Sequence, residues 1–150
     1  MRKKGIIMLQ NDSSITTNIP PGFAPHFRHS PVTDPWEPLY SKPVDGKIVL
    51  GLRVRESHTN ARGIAHGGLI SALADNAMGL SCAYQFSTPH SLLTVNLSID
   101  FFGIAKIGEW LEFDTVFTKV GSTLCFAQAY VTANGVACAK AGATFRAMQK

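Results

Sequence analysis

The sequence predicts an α+β fold: an antiparallel sheet of five to six strands wrapped around one long central helix. Three observations point to it. Residues 66–86 (HGGLISALADNAMGLSCAYQF) are almost wholly apolar and hold one charged residue, Asp75. One candidate strand precedes this stretch and four follow it. The connections are short and carry turn residues such as Asn134-Gly135, which favour φ > 0. A helix apolar on every side is buried, and a curled antiparallel sheet is the simplest cover for it.

Composition sets the frame. The chain of 150 residues suits one core that needs no disulfide staples. With 45% hydrophobic and only 16% charged residues, part of the surface is expected to lie under another subunit. The net charge of +4 owes much to Arg2, Lys3 and Lys4, and no basic stripe interleaved with aromatics signals nucleic-acid binding. A mildly positive protein still attracts a phosphate-bearing ligand. Cys82, Cys125 and Cys138 are odd in number and set among apolar residues, as expected of core thiols in a reducing, cytoplasmic compartment. The apolar run Gly5–Leu9 after the basic triplet is too short for a secretion signal.

Taken in order, residues 1–19 lack periodicity and read as a loose tail. Residues 20–45 hold seven of the eight prolines. Proline fixes φ and gives no donor, so residues 1–44 are read as an irregular segment ahead of a folded domain at 45–150. Phe23, Phe27, Trp36, Leu39 and Tyr40 are too apolar for a free linker and are expected to cover a core edge or a pocket mouth. His26 and His29 have the spacing of a metal pair but no partner ligands nearby, so no metal is expected. Asp45-Gly46 turns into a strand at 47–54, and a polar loop with His58 and Asn60 leads to the helix. Residues 94–102 alternate, Val95, Leu97, Ile99 and Phe101 against Thr94, Asn96, Ser98 and Asp100. Strands at 109–119, 124–132 and 136–148 complete the series.

The helix has two unlike stripes. Leu69, Leu73, Asn76, Leu80 and Tyr84 form one, expected to press on the sheet. Gly68, Ala72, Asp75, Gly79 and Cys82 form the other, where a ligand or a second backbone could approach. A mid-helix glycine costs about 1 kcal/mol against alanine, so the close approach at Gly79 has a use. The membrane alternative fails, because large apolar side chains are too few and a central carboxylate is costly in lipid. Taken alone, Asp75 is also compatible with a satisfied core carboxylate, and His66 with a helix cap.

The run Asn60-x-x-Gly63-x-x-His66-Gly67-Gly68 followed by Leu73-Ala74-Asp75 resembles the hotdog-fold acyl-CoA thioesterases of the PaaI-like group, over roughly residues 45–148. The resemblance implies that Asp75 is the nucleophile or the general base for water. It implies that the Gly67 amide polarises the thioester carbonyl, that Asn60 and His66 bind and orient the thioester, and that Thr94 helps place the water. It also implies that coenzyme A runs along strand ends and turns, which makes Lys119, Gly121 and Ser122 the candidate contacts. Ser122 departs from the basic residue of some relatives. Gly68, Ala72 and Gly79 complete the expected substrate wall. No metal or cofactor is implied beyond the coenzyme A of the substrate.

Physical chemistry supports the same roles. A helix N-terminus offers unpaired N–H groups and a positive dipole end, suited to a developing oxyanion. A carboxylate in an apolar wall gains basicity. His66 and Asp75 are nine positions apart, roughly 13 Å along one helix. Both cannot touch one thioester carbon from the same chain, so a catalytic role for both requires a homodimer, with a tetramer of two dimers implied by the resemblance. Two alternatives stand beside the hydrolase: a hotdog dehydratase or hydratase on acyl thioesters, and a non-catalytic acyl-CoA-binding module.

Overall fold

The computed structural model describes residues 18–150. The expectations for the basic triplet and most of the tail therefore lie outside the described residues.

Seven strands and one long helix build the fold. In chain order they are β1 (Ala24–Pro25), β2 (Tyr40–Val44), β3 (Lys47–Arg53), α1 (Gly67–Ala83), β4 (His90–Phe101), β5 (Trp110–Val120), β6 (Leu124–Ala133) and β7 (Val136–Gln149). They form one antiparallel sheet in the order β1-β2-β3-β5-β6-β7-β4. Turns fall where the sequence asks for them: Asp45-Gly46 and Asn134-Gly135 adopt positive φ and close the β2–β3 and β6–β7 hairpins.

Two features exceed the expectation. The irregular segment does not run to residue 44, because Tyr40–Val44 is a full strand paired with β3 from Tyr40↔Gly51 to Val44↔Lys47. Pro43 sits in it without breaking the sheet because this strand has only the two-residue β1 on its far side. The proline-rich chain also wraps the sheet edge. Phe23 and Tyr40 pack on Trp110, with ring centroids 5.0 and 5.8 Å away. The Trp110 ring lies where a side chain on Gly51 would be, 2.3 Å from an ideal Cβ, so only glycine admits it.

The helix lies across the concave face of the sheet. Large side chains on α1 (Leu69, Leu73, Met78) meet small ones on the inner faces of β6 and β7 (Ala127, Ala129, Ala141), all essentially buried. Small residues on the sheet leave room for the large ones on the helix within one core. Ser81 satisfies its hydroxyl against the backbone of Ile48, on β3.

The buried helix face differs from the expected stripe. It runs through Leu69, Ile70, Leu73, Ala74, Ala77, Met78, Ser81 and Cys82. Tyr84 is 56% exposed, and Asn76 and Leu80 are only half-buried. The buried face thus mixes large residues (Leu69, Ile70, Leu73, Met78) with small ones (Ala74, Ala77, Ser81, Cys82). Cys82 belongs to that core and not to the open face.

The alternation expected in β4 is broken by a bulge at Val95. Thr94 pairs with Phe145, whose side chain is in the core, but Asn96 pairs with Thr144. The extra residue moves Thr94 onto the helix-facing side with Leu97 and Ile99, not onto that of Asn96 and Ser98. This correction positions the site.

Candidate active site

Asp75 stands midway along α1 at the wall of a cavity of about 250 Å³. The helix supplies the face from Asp75 to Ala83, β4 the stretch from His90 to Thr94, and the proline-rich segment a roof that includes Arg28, Ser30 and Thr33. Of the apolar residues expected to cover a core edge or a pocket mouth, Leu39 lines the cavity, Phe23 and Tyr40 pack on Trp110 at the sheet edge, and Phe27 is 66% exposed. His26 ties the segment down with a 3.0 Å hydrogen bond to Ser41. Burial holds the His26 imidazole below its ordinary pKa, with Glu37 opposing the shift.

The Thr94 hydroxyl donates to Asp75 Oδ1 at 2.8 Å. Burial raises the Asp75 pKa, and the Thr94 hydrogen bond partly reverses that rise. The result is a half-buried carboxylate, more basic than an exposed one, held by one donor beside an open space. Gly79 lines the same cavity, and a Cβ there would meet the Phe145 ring at 3.4 Å.

Asn60, His66, Gly67 and Gly68 belong to a second cluster at the helix N-terminus, and none of them lines the cavity. Asn60 and Gly63 form a tight turn in which Gly63 takes φ of 72°. Thr59 bridges to Ala65 across it. Asn60 Oδ1 accepts from the Arg62 amide, leaving its NH₂ group to donate elsewhere. His66 caps the helix: its Nδ1 accepts from the Gly68 amide at 2.8 Å. The ring proton therefore sits on Nε2, which is a donor toward solvent.

That cap takes up the Gly68 N–H, so this amide is not open to a ligand as the glycine pair first suggests. No described group accepts from the Gly67 N–H, which remains the open donor of the pair. A Cβ on Gly67 would meet the Phe101 ring at 3.3 Å. Ala72 is half-buried and outside the cavity wall. Lys119, Gly121 and Ser122 are exposed at the β5–β6 turn, and Gln85, just past the helix C-terminus, hydrogen-bonds Thr118 beside them.

Two separate clusters of candidate residues thus occupy one chain: Asp75 with Thr94 and Gly79 at the cavity, and Asn60, His66 and Gly67 at the helix start. Sequence reasoning missed Arg28, His90 and Lys150 on the cavity wall. His90 lay in an apparent connector, and the path of the proline-rich chain over the helix carries no periodic signal. His58 is fully buried; its Nε2 meets the Trp36 carbonyl at 2.9 Å and its Nδ1 accepts from the Arg55 amide. Among the described residues, the side chains within metal-ligating reach of one another are His29, Asp34 and Glu37. His29 Nδ1 lies 3.3 Å from a Glu37 carboxylate oxygen and 3.9 Å from one of Asp34.

Comparison with known proteins follows the same geometry. The thioesterase superfamily family profile matches residues 62–139, which include the helix-start cluster from Gly63 onward, Asp75 and Thr94. A Pseudomonas aeruginosa protein carrying the name of an esterase is 42% identical over 113 residues, 75% of this chain and 84% of that protein. Human acyl-coenzyme A thioesterase 13 is 35% identical over 89 residues, 58% of this chain and 61% of that protein. The fold matches the phenylacetic acid degradation protein PaaI from Thermus thermophilus, solved as a mutant. There the TM-score is 0.64 at 24% identity, over 72% of this chain and 91% of that one.

Proposed function

This chain belongs to the thioesterase superfamily with the hotdog fold, and from that membership we propose that it hydrolyses an acyl-coenzyme A ester to free acid and thiol. The observation that carries the reading is the Asp75–Thr94 pair: a half-buried carboxylate with a raised pKa, hydrogen-bonded at 2.8 Å and facing a cavity.

In the proposed reaction Asp75 is the general base. It takes a proton from water as the water oxygen bonds to the thioester carbonyl carbon. Thr94 fixes the carboxylate orientation. The carbonyl oxygen gathers negative charge and is received by a Gly67 N–H at the positive end of a helix, a placement worth on the order of 3 kcal/mol to the transition state. The C–S bond then breaks, and the thiolate leaves with the proton. Direct attack by Asp75 through an anhydride is the other form of the same role. Asn60 and His66 contribute side-chain donors that orient the thioester.

The two half-sites lie in different parts of one chain, so the proposed active unit is a homodimer in which Asp75 of one copy faces the helix start of the other. β4 supports this. Among the described residues it is a long edge strand with an unpaired outer edge, and Leu93, Val95 and Phe101 are each at least half exposed on it. Two dimers forming a tetramer extend the same proposal. Exposed Lys119, with the Gly121–Ser122 turn, is the proposed contact for the nucleotide end of coenzyme A, and no separate cofactor enters the reaction. The described residues hold no helix long and apolar enough to cross a membrane. Three free buried cysteines suit a cytoplasmic setting.

A panel of acyl-coenzyme A esters assayed for released thiol, with light scattering on the same sample, tests the reading. Thiol release by a dimer or larger species is the expected result. Saturable binding without release would leave a binding module, and a change at an acyl double bond without release would indicate a dehydratase or hydratase.

A further inference from the structure

The cavity beside Asp75 changes character along its length. From Asp75 to Ala83 the helix advances eight residues, about 12 Å. From Thr94 back to His90, β4 advances four, about 13 Å. Both measures run from the carboxylate to one remote end, where Lys150 follows Gln149, the register partner of His90. Between the ends, Leu80, Leu92 and Phe145 line the wall. Among the described residues of the cavity wall, Asp75 is the one acidic side chain, whereas Arg28 and Lys150 are cationic. Neither cationic side chain forms a hydrogen bond or ion pair with a described residue. Ser30 and Thr33, joined at 2.8 Å through their hydroxyls, stand on the same roof as Arg28.

We propose that the acyl group taken by this site carries its own carboxylate at the end remote from the thioester, as in the half-thioester of a dicarboxylic acid, and that the cations of the wall, Lys150 at that end and Arg28 on the roof, receive it. The inference rests on the thioester-hydrolase reading and adds the substrate class. A purely alkyl tail would leave these two exposed cations with water as their partner. A carboxylate pairs with both, and arginine accepts it through two parallel hydrogen bonds. The apolar middle takes the methylenes. A substrate carboxylate held toward the Lys150 end stays apart from Asp75, so the two negative charges do not compete for one end of the pocket.

The test compares matched esters: glutaryl- with pentanoyl-coenzyme A, and adipyl- with hexanoyl-coenzyme A. The ratio of kcat/KM within each pair is expected to favour the dicarboxylate by about tenfold or more, the scale of a charge-assisted hydrogen bond. Arg28→Met should bring that ratio toward one, and Arg28→Glu should invert it. Arg28 is exposed, so both variants are expected to fold. A wild-type ratio of one or less, or a ratio unmoved by Arg28→Met, overturns the proposal while thiol release still supports hydrolysis. If no ester releases thiol, the hydrolase reading fails, and calorimetry with the uncleavable thioether analogues of the same pairs decides the carboxylate preference by itself. Free coenzyme A is the control. If Arg28→Met weakens its binding as much as that of the dicarboxylate analogue, the cations read phosphate and the proposal falls.

Discussion

The Thr94 hydroxyl donates a 2.8 Å hydrogen bond to Asp75 Oδ1 across the gap between the edge strand and the central helix. Burial raises the carboxyl pKa and this one bond lowers it, so the basicity of Asp75 is a balance between the two. The bond exists because the strand bulges at Val95; without the extra residue Thr94 would face away from the helix.

Thr94→Val keeps the shape and removes the donor. With the lowering influence gone, the Asp75 pKa is expected to climb further above its ordinary value. The working base is the ionised form, so activity falls as pH drops through that pKa. The acid limb of the kcat/KM profile should therefore shift to higher pH in the variant. A limb that stays in place would separate Asp75 from the observed titration.

Asp75→Asn removes the proposed base and keeps the shape. Thiol release is expected to fall by ~10²–10⁴-fold, the range for a positioned general base. Stability should move the other way. A carboxyl whose folded pKa is raised contributes stability that is full below its unfolded pKa and lost as pH rises through the folded one. At neutral pH the charged group is a burden on the fold, and the amide relieves it, so Tm should rise. A folded variant with near wild-type turnover would sink the assignment.

Much of this was readable from the sequence. The buried helix, the turns at Asp45-Gly46 and Asn134-Gly135, and the succession of strands follow from local patterns that the packing reinforces. The side of β4 on which Thr94 lies was not readable, because a bulge leaves period-two alternation intact on the page while switching faces in space. The helix orientation was misread because the sheet offers alanines in β6 and β7, and small partners change which face packs best. The cavity roof was foreseen only as a cover, since non-periodic chain gives no signal of what it covers.

Gly79→Leu places a large side chain in the cavity against Phe145, whose ring already lies 3.4 Å from an ideal Cβ. The expected outcome is a drop in kcat/KM of about tenfold or more, since overpacking at such a site typically costs 1–3 kcal/mol. The loss should grow with the size of the acyl group. Leu80→Met, which conserves volume, should be mild. Equal loss across a series of acyl lengths would place Gly79 outside the acyl wall.

His58 ties the pocket roof to the loop that carries Asn60. Its ring bonds the Trp36 carbonyl and the Arg55 amide, and its own carbonyl accepts from the His66 amide. His58→Ala should cost roughly 2–4 kcal/mol through the void and the unpaired groups it leaves. Burial lowers the His58 pKa, with the Trp36 carbonyl opposing. The stability it contributes is thus full above the unfolded value near 6.5 and is lost as pH falls through the folded one. His26 is lowered as well and adds to the same trend. Urea midpoints at pH 8 and pH 5.5 should differ less in His58→Ala than in the wild type.

The proposed sharing of the site between two copies has the sharpest test. His66 caps the helix at one half-site and Asp75 faces the cavity at the other, nine residues further along, roughly 13 Å. If each active centre draws Asp75 from one copy and His66 with Gly67 from its partner, two inactive variants can repair each other. Asp75→Asn and His66→Ala, each with low activity alone, are mixed under conditions that exchange subunits. In a mixed dimer one centre collects both mutations and the other collects neither. Random pairing of equal amounts should restore roughly a quarter of wild-type activity. Recovery should track subunit exchange, measured by mass spectrometry on a labelled copy. Exchange without recovery would confine each site to a single chain, and then His66, held as a cap by the Gly68 amide, could play no part at the Asp75 carboxylate.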